Sequence, residues 1–503
     1  MTFNSIQFLI FFPVVTLLYF LLPQRFRWVW LLLASYYFYM SWNPSLVFLI
    51  LFTTVISYWC GLRMEKCESK AERKKYMVIT CCASLGVLFF FKYFNFLSTS
   101  VSGILRWFAP EIGDFTLNLL LPVGISFYTF QTLSYVIDVY NGNIEAEHHF
   151  GYYALFVSFF PQLVAGPIER PENLLPQLKE KHRFRRANFI TGMKRILCGF
   201  FKKVVVADTL ATYVNAVYNN NIEAQAPALI IATFLFTFQV YCDFSGYTDI
   251  AVGCAKIMGI DLMQNFRLPF TSRSVHEFWE RWHISLTSWF RDYIFYPIAT
   301  NKKLTRRCRA WGKKLNNRNI SIMVPQCLAL FITFVLSGLW HGAAWTFVLW
   351  GTIHGIYQIL ERLTDKKRKA LRAKLHWKED GRLLIFWQQT LTFLLCNFAL
   401  IFFRANSVSD LGVLLRHLFT DWRFVGTFNT LGMTSVGALT TVCSIALMSI
   451  LDRLFIQDRP MRTVKGGFTV KAEICAFLLV TILFAWMMLL AGDGAAAFIY
   501  FQF

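Results

Sequence analysis

Two histidines stand in apolar surroundings where an ionisable side chain needs a reason. They are His283, in Glu-Phe-Trp-Glu-Arg-Trp-His-Ile-Ser-Leu at 277–286, and His341, in Ser-Gly-Leu-Trp-His-Gly-Ala-Ala-Trp at 337–345. Charged groups at membrane depth cost roughly 2.5 kcal/mol or more each and mark pathways or reacting sites. A neutral imidazole can take the proton of a hydroxyl as that hydroxyl attacks a carbonyl, and its ordinary pKa of about 6.5 lies near working pH. His341 is the sharper candidate, because Gly338, Gly342, Ala343 and Ala344 are small enough to admit a substrate or another helix, and Trp340 and Trp345 flank it. Helix packing accounts for the glycines, since Gly338/Gly342 and Gly351/Gly355 have the spacing that brings membrane helices together. It does not account for the imidazole.

His283 lies where charge and aromatic bulk alternate: Glu277, Glu280, Arg281, Arg291 and Asp292 are interleaved with Phe278, Trp279, Trp282, Trp289 and Phe290. This pattern predicts an interfacial or re-entrant helix on which Trp279, His283 and Leu286 or Thr287 share a face. The bland alternative is an interfacial histidine bonded to a neighbour. His276 reads as a helix-start residue. His354, thirteen residues past His341, reads as a packing histidine, because even on one continuous helix it would point to another face. Asp243 and Asp249 flank Ser245 and Gly246 near the end of an apolar block. They could orient a histidine, line a proton path or cap a helix break. Ser126, Tyr128 and Gln131 could serve only to satisfy backbone opened by Pro122 and Gly124.

Composition sets the elements that must hold these residues. Of 503 residues 56% are hydrophobic, 18% aromatic and only 16% charged, which excludes an ordinary soluble domain. Apolar runs at 44–60, 76–94, 228–241, 322–339 and 474–490 approach the roughly 20 residues that cross a bilayer as a helix. The chain therefore reads as an all-α polytopic membrane protein with roughly eleven transmembrane helices. A transmembrane barrel would instead need short alternating segments of about 10 residues. The net charge of +21 is concentrated in short loops at 63–75, 302–318, 362–382 and 453–471. Such loops face the cytoplasm, so the charge reports topology rather than nucleic-acid binding.

The basic loops also set orientation. Those at 302–318 and 362–382 bracket a hairpin with His341 near its far turn, and counting outward places both termini outside the cytoplasm. Between 75 and the basic stretch 170–203 three spanning candidates would put that stretch on the wrong side, so at least one apolar segment there is expected to be re-entrant. Residues 1–23 lack the basic start and cleavage site of a signal peptide and read as a retained first helix. No linker interrupts the chain, which is expected to fold as one membrane body of three zones: scaffold helices at 1–113, a polar-seeded core at 114–404 and bracing helices at 405–503.

The chain has no Gly-x-Ser-x-Gly elbow, no phosphate-cradling Gly-x-x-x-x-Gly-Lys loop, no His-Glu-x-x-His and no Cys-x-x-Cys among its 12 cysteines. No nucleotide-driven pumping, metal site or bound cofactor is expected. Internal repeats are absent, against an inverted-repeat transporter.

The segment at 265–294, Asn-Phe-Arg-Leu-Pro-Phe-Thr-Ser-Arg-Ser-Val-His-Glu-Phe-Trp-Glu-Arg-Trp-His-Ile-Ser-Leu-Thr-Ser-Trp-Phe-Arg-Asp-Tyr-Ile, closely resembles a signature of the membrane-bound O-acyltransferases. The resemblance extends to their alginate O-acetyltransferase branch through Leu-Pro-Val-Gly-Ile-Ser-Phe at 121–127, Pro-Gln-Leu-Val-Ala-Gly-Pro-Ile at 161–168, Tyr-Cys-Asp-Phe-Ser-Gly-Tyr-Thr-Asp at 241–249, Leu-Trp-His-Gly at 339–342 and Phe-Phe-Arg-Ala at 402–405. One departure is the Ile-Ala-Thr-Asn-Lys-Lys at 298–303, where relatives tend to carry a Gly-rich turn.

The resemblance implies re-entrant and interfacial helices around a central tunnel. It implies acyl transfer from a cytoplasmic thioester, acetyl coenzyme A, to an extracytoplasmic polysaccharide, directly or through a secreted or membrane-anchored partner acetyltransferase. His341 would be the essential histidine and His283 the second. Trp282, Asp243, Ser245, Asp249, Gln131, Trp340 and Trp345 would line the tunnel. The competing readings are D-alanyl transfer from a carrier protein and a transporter that makes no bond.

Overall fold

The computed structural model describes residues 1–220, 224–317 and 319–456. The apolar run at 474–490, most of the basic stretch 453–471 and the final helix used to orient the C-terminus lie outside the described residues. Among the described residues there is no β-strand, only one isolated bridge between Phe266 and Trp282. Six helices among the described residues are long and apolar enough to cross a membrane: Pro44–Glu65, Lys70–Leu105, Ala226–Ile257, Ile320–His341, Arg382–Arg404 and Ser435–Leu454.

Three of the short basic loops expected from charge are largely helical. Residues 63–75 close Val47–Glu65 and open Lys70–Leu88, and residues 362–374 prolong Trp345–Lys374. Residues 302–314 form a helix of their own, whose first turn is capped by the Asn301 side chain accepting from the Leu304 amide at 3.0 Å. Lys, Arg and Leu are good helix formers, so positive charge here decorates helix ends instead of breaking the backbone.

The chain divides into two compact units, residues 1–196 with 250–264 and residues 197–249 with 265 onward. In the first, helix Ile125–Asn141 is buried along nearly its whole length. It starts at Gly124, which has φ +74°, and a side chain there would press on the Leu163 carbonyl. Only glycine adopts that conformation cheaply. Residues 150–163 form helices of nine and four residues broken at Phe159. Both are too short to cross a bilayer at 1.5 Å per residue.

The second unit is held by a hairpin, Ile320–His341 and Trp345–Lys374. The two helices cross at Gly338 and Gly351: a Cβ on Gly338 would collide with the Phe347 carbonyl oxygen, and one on Gly351 with that of Phe334. The glycine spacing read from the sequence thus marks a contact of backbone on backbone.

A second close approach lies between the turn Phe201–Ala207 and the Ala226–Ile257 helix, where a Cβ on Gly246 would stand 3.1 Å from the Lys203 amide nitrogen. That proximity lets two adjacent lysines meet acids. Lys202 Nζ lies 2.8 Å from Asp249 and 2.6 Å from Asp452, and Lys203 Nζ lies 2.8 Å from Asp208 and 2.6 Å from Asp243. Tyr241 donates its hydroxyl to Asp452 at 2.6 Å. Buried charges persist when each is paired and hydrogen-bonded, and here the pairing fastens the helix ending at Leu451 to the centre of the unit.

Gly351→Ala is expected to force the hairpin apart, costing about 1–3 kcal/mol as overpacking does and lowering the melting temperature of the detergent-purified protein. Gly86→Ala, where the added methyl meets nothing within 4 Å, is the control and should leave it unchanged or slightly higher. Equal melting of the two variants contradicts the crossing.

Candidate active site

His341 ends its helix. The next residue, Gly342, has extended backbone angles that any residue adopts, but a side chain there would strike the Phe347 ring. The chain turns through 342–344 and re-enters as Trp345–Lys374. The imidazole of His341 is 4% exposed and sits in an aromatic cage, with ring centroids 5.0 Å from Trp340, 5.0 Å from Trp350 and 5.5 Å from Phe403.

His283 does not ride a continuous helix, contrary to the sequence expectation. One helix ends at Arg281 and another starts at Ile284, with His283 between them in the left-handed region at φ +44°, ψ +51°. The cause is competition for hydrogen bonds. The Ile284 amide bonds the Asn265 carbonyl at 2.9 Å, and the Ser285 amide bonds Asn265 Oδ1 at 3.3 Å, while the Arg281 carbonyl is taken by the Arg267 amide at 2.9 Å. Those amides would otherwise reach back four residues. The shared face predicted for Trp279, His283 and Leu286 is therefore lost. What is gained is position: His283 is fully buried, its ring 4.6 Å from Phe244, 5.8 Å from Trp340 and 6.4 Å from His341.

A cavity with about 40 Å³ of room for the centres of water-sized molecules opens beside His341. Since one water needs roughly 10–15 Å³ on this measure, it holds a small group of a few heavy atoms. Trp279, Trp282, Trp350, Phe403 and His354 share its wall with His341. His354 was expected to point elsewhere, an inference framed on one continuous helix. The turn at 342–344 invalidates that frame, and His354 returns on the second arm of the hairpin, its Nδ1 accepting the Trp279 indole N–H at 3.3 Å. Phe403 comes from the Phe-Phe-Arg-Ala block, anchored by the next residue: Arg404 donates to Asn215 at 2.8 Å and to Asn219 at 3.0 Å. The aromatic spacing of Trp350 and His354, four apart on one helix, was the overlooked signal.

The remaining sequence candidates scatter. Trp340 is buried against both histidines, whereas Trp345 is 53% exposed. Asp243 and Asp249 lie mid-helix in Ala226–Ile257 and face Lys203 and Lys202. Between them the Ser245 hydroxyl is buried without a hydrogen-bond partner among the described residues. Gln131 belongs to the first unit, where its amide donates to the Phe156 carbonyl at 2.6 Å.

Residues 144–309 match the sequence profile of the membrane-bound O-acyltransferase family, MBOAT. The chain is 34% identical to the probable alginate O-acetylase AlgI of Pseudomonas aeruginosa, over 92% of this chain and 84% of that protein. It is 31% identical to the peptidoglycan O-acetyltransferase of Helicobacter pylori, over 81% of this chain and 78% of that protein. A more partial similarity, 29% identity over 58% of this chain and 72% of the other, joins it to the teichoic acid D-alanyltransferase of Bacillus subtilis.

The left-handed backbone at position 283 gives a test of the break. A residue with a Cβ pays about 1–2 kcal/mol there, which glycine avoids. His283→Gly should melt at a higher temperature than His283→Ala although both lack the ring. An alanine variant as stable as the glycine variant contradicts the conformation.

Proposed function

Because the chain belongs to the membrane-bound O-acyltransferase family, and is as such a multi-pass membrane O-acyltransferase, we propose that it moves an acetyl group from cytoplasmic acetyl coenzyme A to a hydroxyl of an extracytoplasmic polysaccharide, directly or through a partner acetyltransferase. The observation that carries this reading is the pair of buried imidazoles 6.4 Å apart, one of them opening on a small aromatic cavity. A few heavy atoms of space suit an acetyl group and disfavour a long acyl chain. Similarity over 81% and 92% of the chain to proteins named for O-acetylation supports the same choice over D-alanyl transfer, for which the similarity covers 58% of the chain.

In this reading His341 accepts the proton of the acceptor hydroxyl while the oxygen bonds to the thioester carbonyl carbon. Negative charge develops on the carbonyl oxygen, the carbon–sulfur bond then breaks, and the departing thiolate takes the proton back from His341. His283 orients the donor or acceptor beside it. The cage of Trp340, Trp350 and Phe403 excludes water, so the thioester meets the sugar hydroxyl rather than hydrolysing. Holding base, donor and acceptor together supplies much of the rate, since well-oriented intramolecular reactions gain about 7–11 kcal/mol. A tunnel among roughly eleven membrane helices, with both termini extracytoplasmic, would let donor and acceptor approach from opposite faces.

His341→Ala, assayed with labelled acetyl coenzyme A and polysaccharide fragments, plus the partner acetyltransferase where one is needed, should lower turnover by roughly a hundredfold to ten-thousandfold, the range of a general base, with the melting temperature near that of the parent. Undiminished transfer overturns the assignment of the base. A parent that takes no label from acetyl coenzyme A overturns the acetyl donor.

A further inference from the structure

Three polar side chains on the cavity wall have their donors engaged. Ser272 donates to the Pro269 carbonyl at 2.7 Å, Thr237 donates to the Thr233 carbonyl at 3.2 Å and accepts from Asn397 at 2.7 Å, and the Trp279 N–H is held by His354. Two groups stand out against this background. The indole N–H of Trp350, a residue 4% exposed, has no acceptor among the described residues. A buried donor left in that state is destabilising, and the Trp350 ring centroid lies 5.0 Å from that of His341 and 5.0 Å from that of His354. The second group is His354 itself. An indole nitrogen only donates, so the Nδ1 that accepts it carries no proton, and the neutral ring holds its proton on Nε2.

Two residues of the wall next to the proposed base, four apart on one helix face, thus each carry an N–H donor, and the reaction develops charge on an oxygen that needs such donors. We propose that Trp350 and His354 form the hydrogen-bond site for the carbonyl oxygen of the acyl thioester. Trp350, whose ring touches His341, binds the oxygen as it becomes an oxyanion. Trp279 positions the pair by fixing the tautomer of His354. Donors placed for developing charge in a dry site act mainly on the transition state, and losing one costs about a hundredfold or more in kcat. The inference rests on the reading that the cavity receives a thioester donor.

The test separates the two claims by binding rather than turnover. S-acetonyl coenzyme A, a ketone, and S-propyl coenzyme A, the same chain without the carbonyl oxygen, are titrated calorimetrically onto the full-length protein in detergent. The parent should prefer the ketone by about tenfold, equivalent to 1.4 kcal/mol. Trp350→Phe keeps an aromatic ring but removes the N–H. It should reduce that preference to near one with little change for the propyl compound, and in turnover it should lower kcat far more than it raises KM. His354→Leu should erode the preference, whereas His354→Gln, which keeps a terminal N–H donor, should retain most of it. An unchanged ketone preference in Trp350→Phe and His354→Leu overturns the carbonyl site. Failure of the parent to bind either compound overturns the donor reading beneath it.

Discussion

At Gly338 and Gly351 two helix backbones meet with no side chain between them, and the positions of His341, Trp350 and His354 follow from that approach. His341 lies three residues beyond Gly338, and Trp350 lies immediately before Gly351. Bringing the arms to backbone contact sets the His341 imidazole edge-to-face against the Trp350 ring and returns His354 to the same cavity. Small residues are what permit such proximity in a bilayer, where lipid is as apolar as the side chains and packing must drive association. The same property that makes the hairpin stable makes it a holder for polar groups. An active-site geometry built on two long helices is also held more firmly than one built on loops.

Around the hairpin the unit resolves the conflict between burying polar atoms and avoiding water in two ways. Charge is neutralised locally, as where Lys202 and Lys203 each meet two aspartates. This arrangement ties the helix ending at Leu451 to Tyr241, whose ring packs on Trp282 at the edge of the cavity. Backbone groups opened by the break at His283 are taken up by Asn265 and Arg267. The break sets the second histidine beside the first, and a buried asparagine that serves two amides supports it. Strain in the left-handed turn at His283 is of the kind that persists only where surrounding contacts over-determine it.

The sequence was legible where the physics is local or categorical. Apolar runs near bilayer length identified long helices, the glycine spacing identified a crossing, and the cost of an isolated imidazole singled out His341 and His283, which the fold buries 6.4 Å apart. It was opaque where tertiary hydrogen bonds compete with secondary structure. Nothing in Arg-Trp-His-Ile announces that Asn265 will take the amides of Ile284 and Ser285, so the helix looked continuous. His354 was misread because a three-residue turn rotates the second arm back onto the first, a change that periodicity along a single helix cannot express. Asp243 and Asp249 were recognised as buried acids, but their partners lie about forty residues upstream or more, beyond any pattern of spacing. The resemblance to the family supplied the chemistry. The geometry added Phe403, Trp350 and His354 to the residues around it.

We propose that one chain carries an acyl group from a donor on one face of the bilayer to a hydroxyl on the other. Sealed proteoliposomes of a single orientation, with the acceptor polysaccharide and any required partner enclosed, test it directly. Acetyl coenzyme A carrying distinct labels on acetyl and adenine is added only outside. Acetyl label should appear on the enclosed polysaccharide while the adenine label stays outside, with no transfer in vesicles that hold His341→Ala protein. Entry of both labels together, or labelling only when donor and acceptor share a compartment, would contradict it.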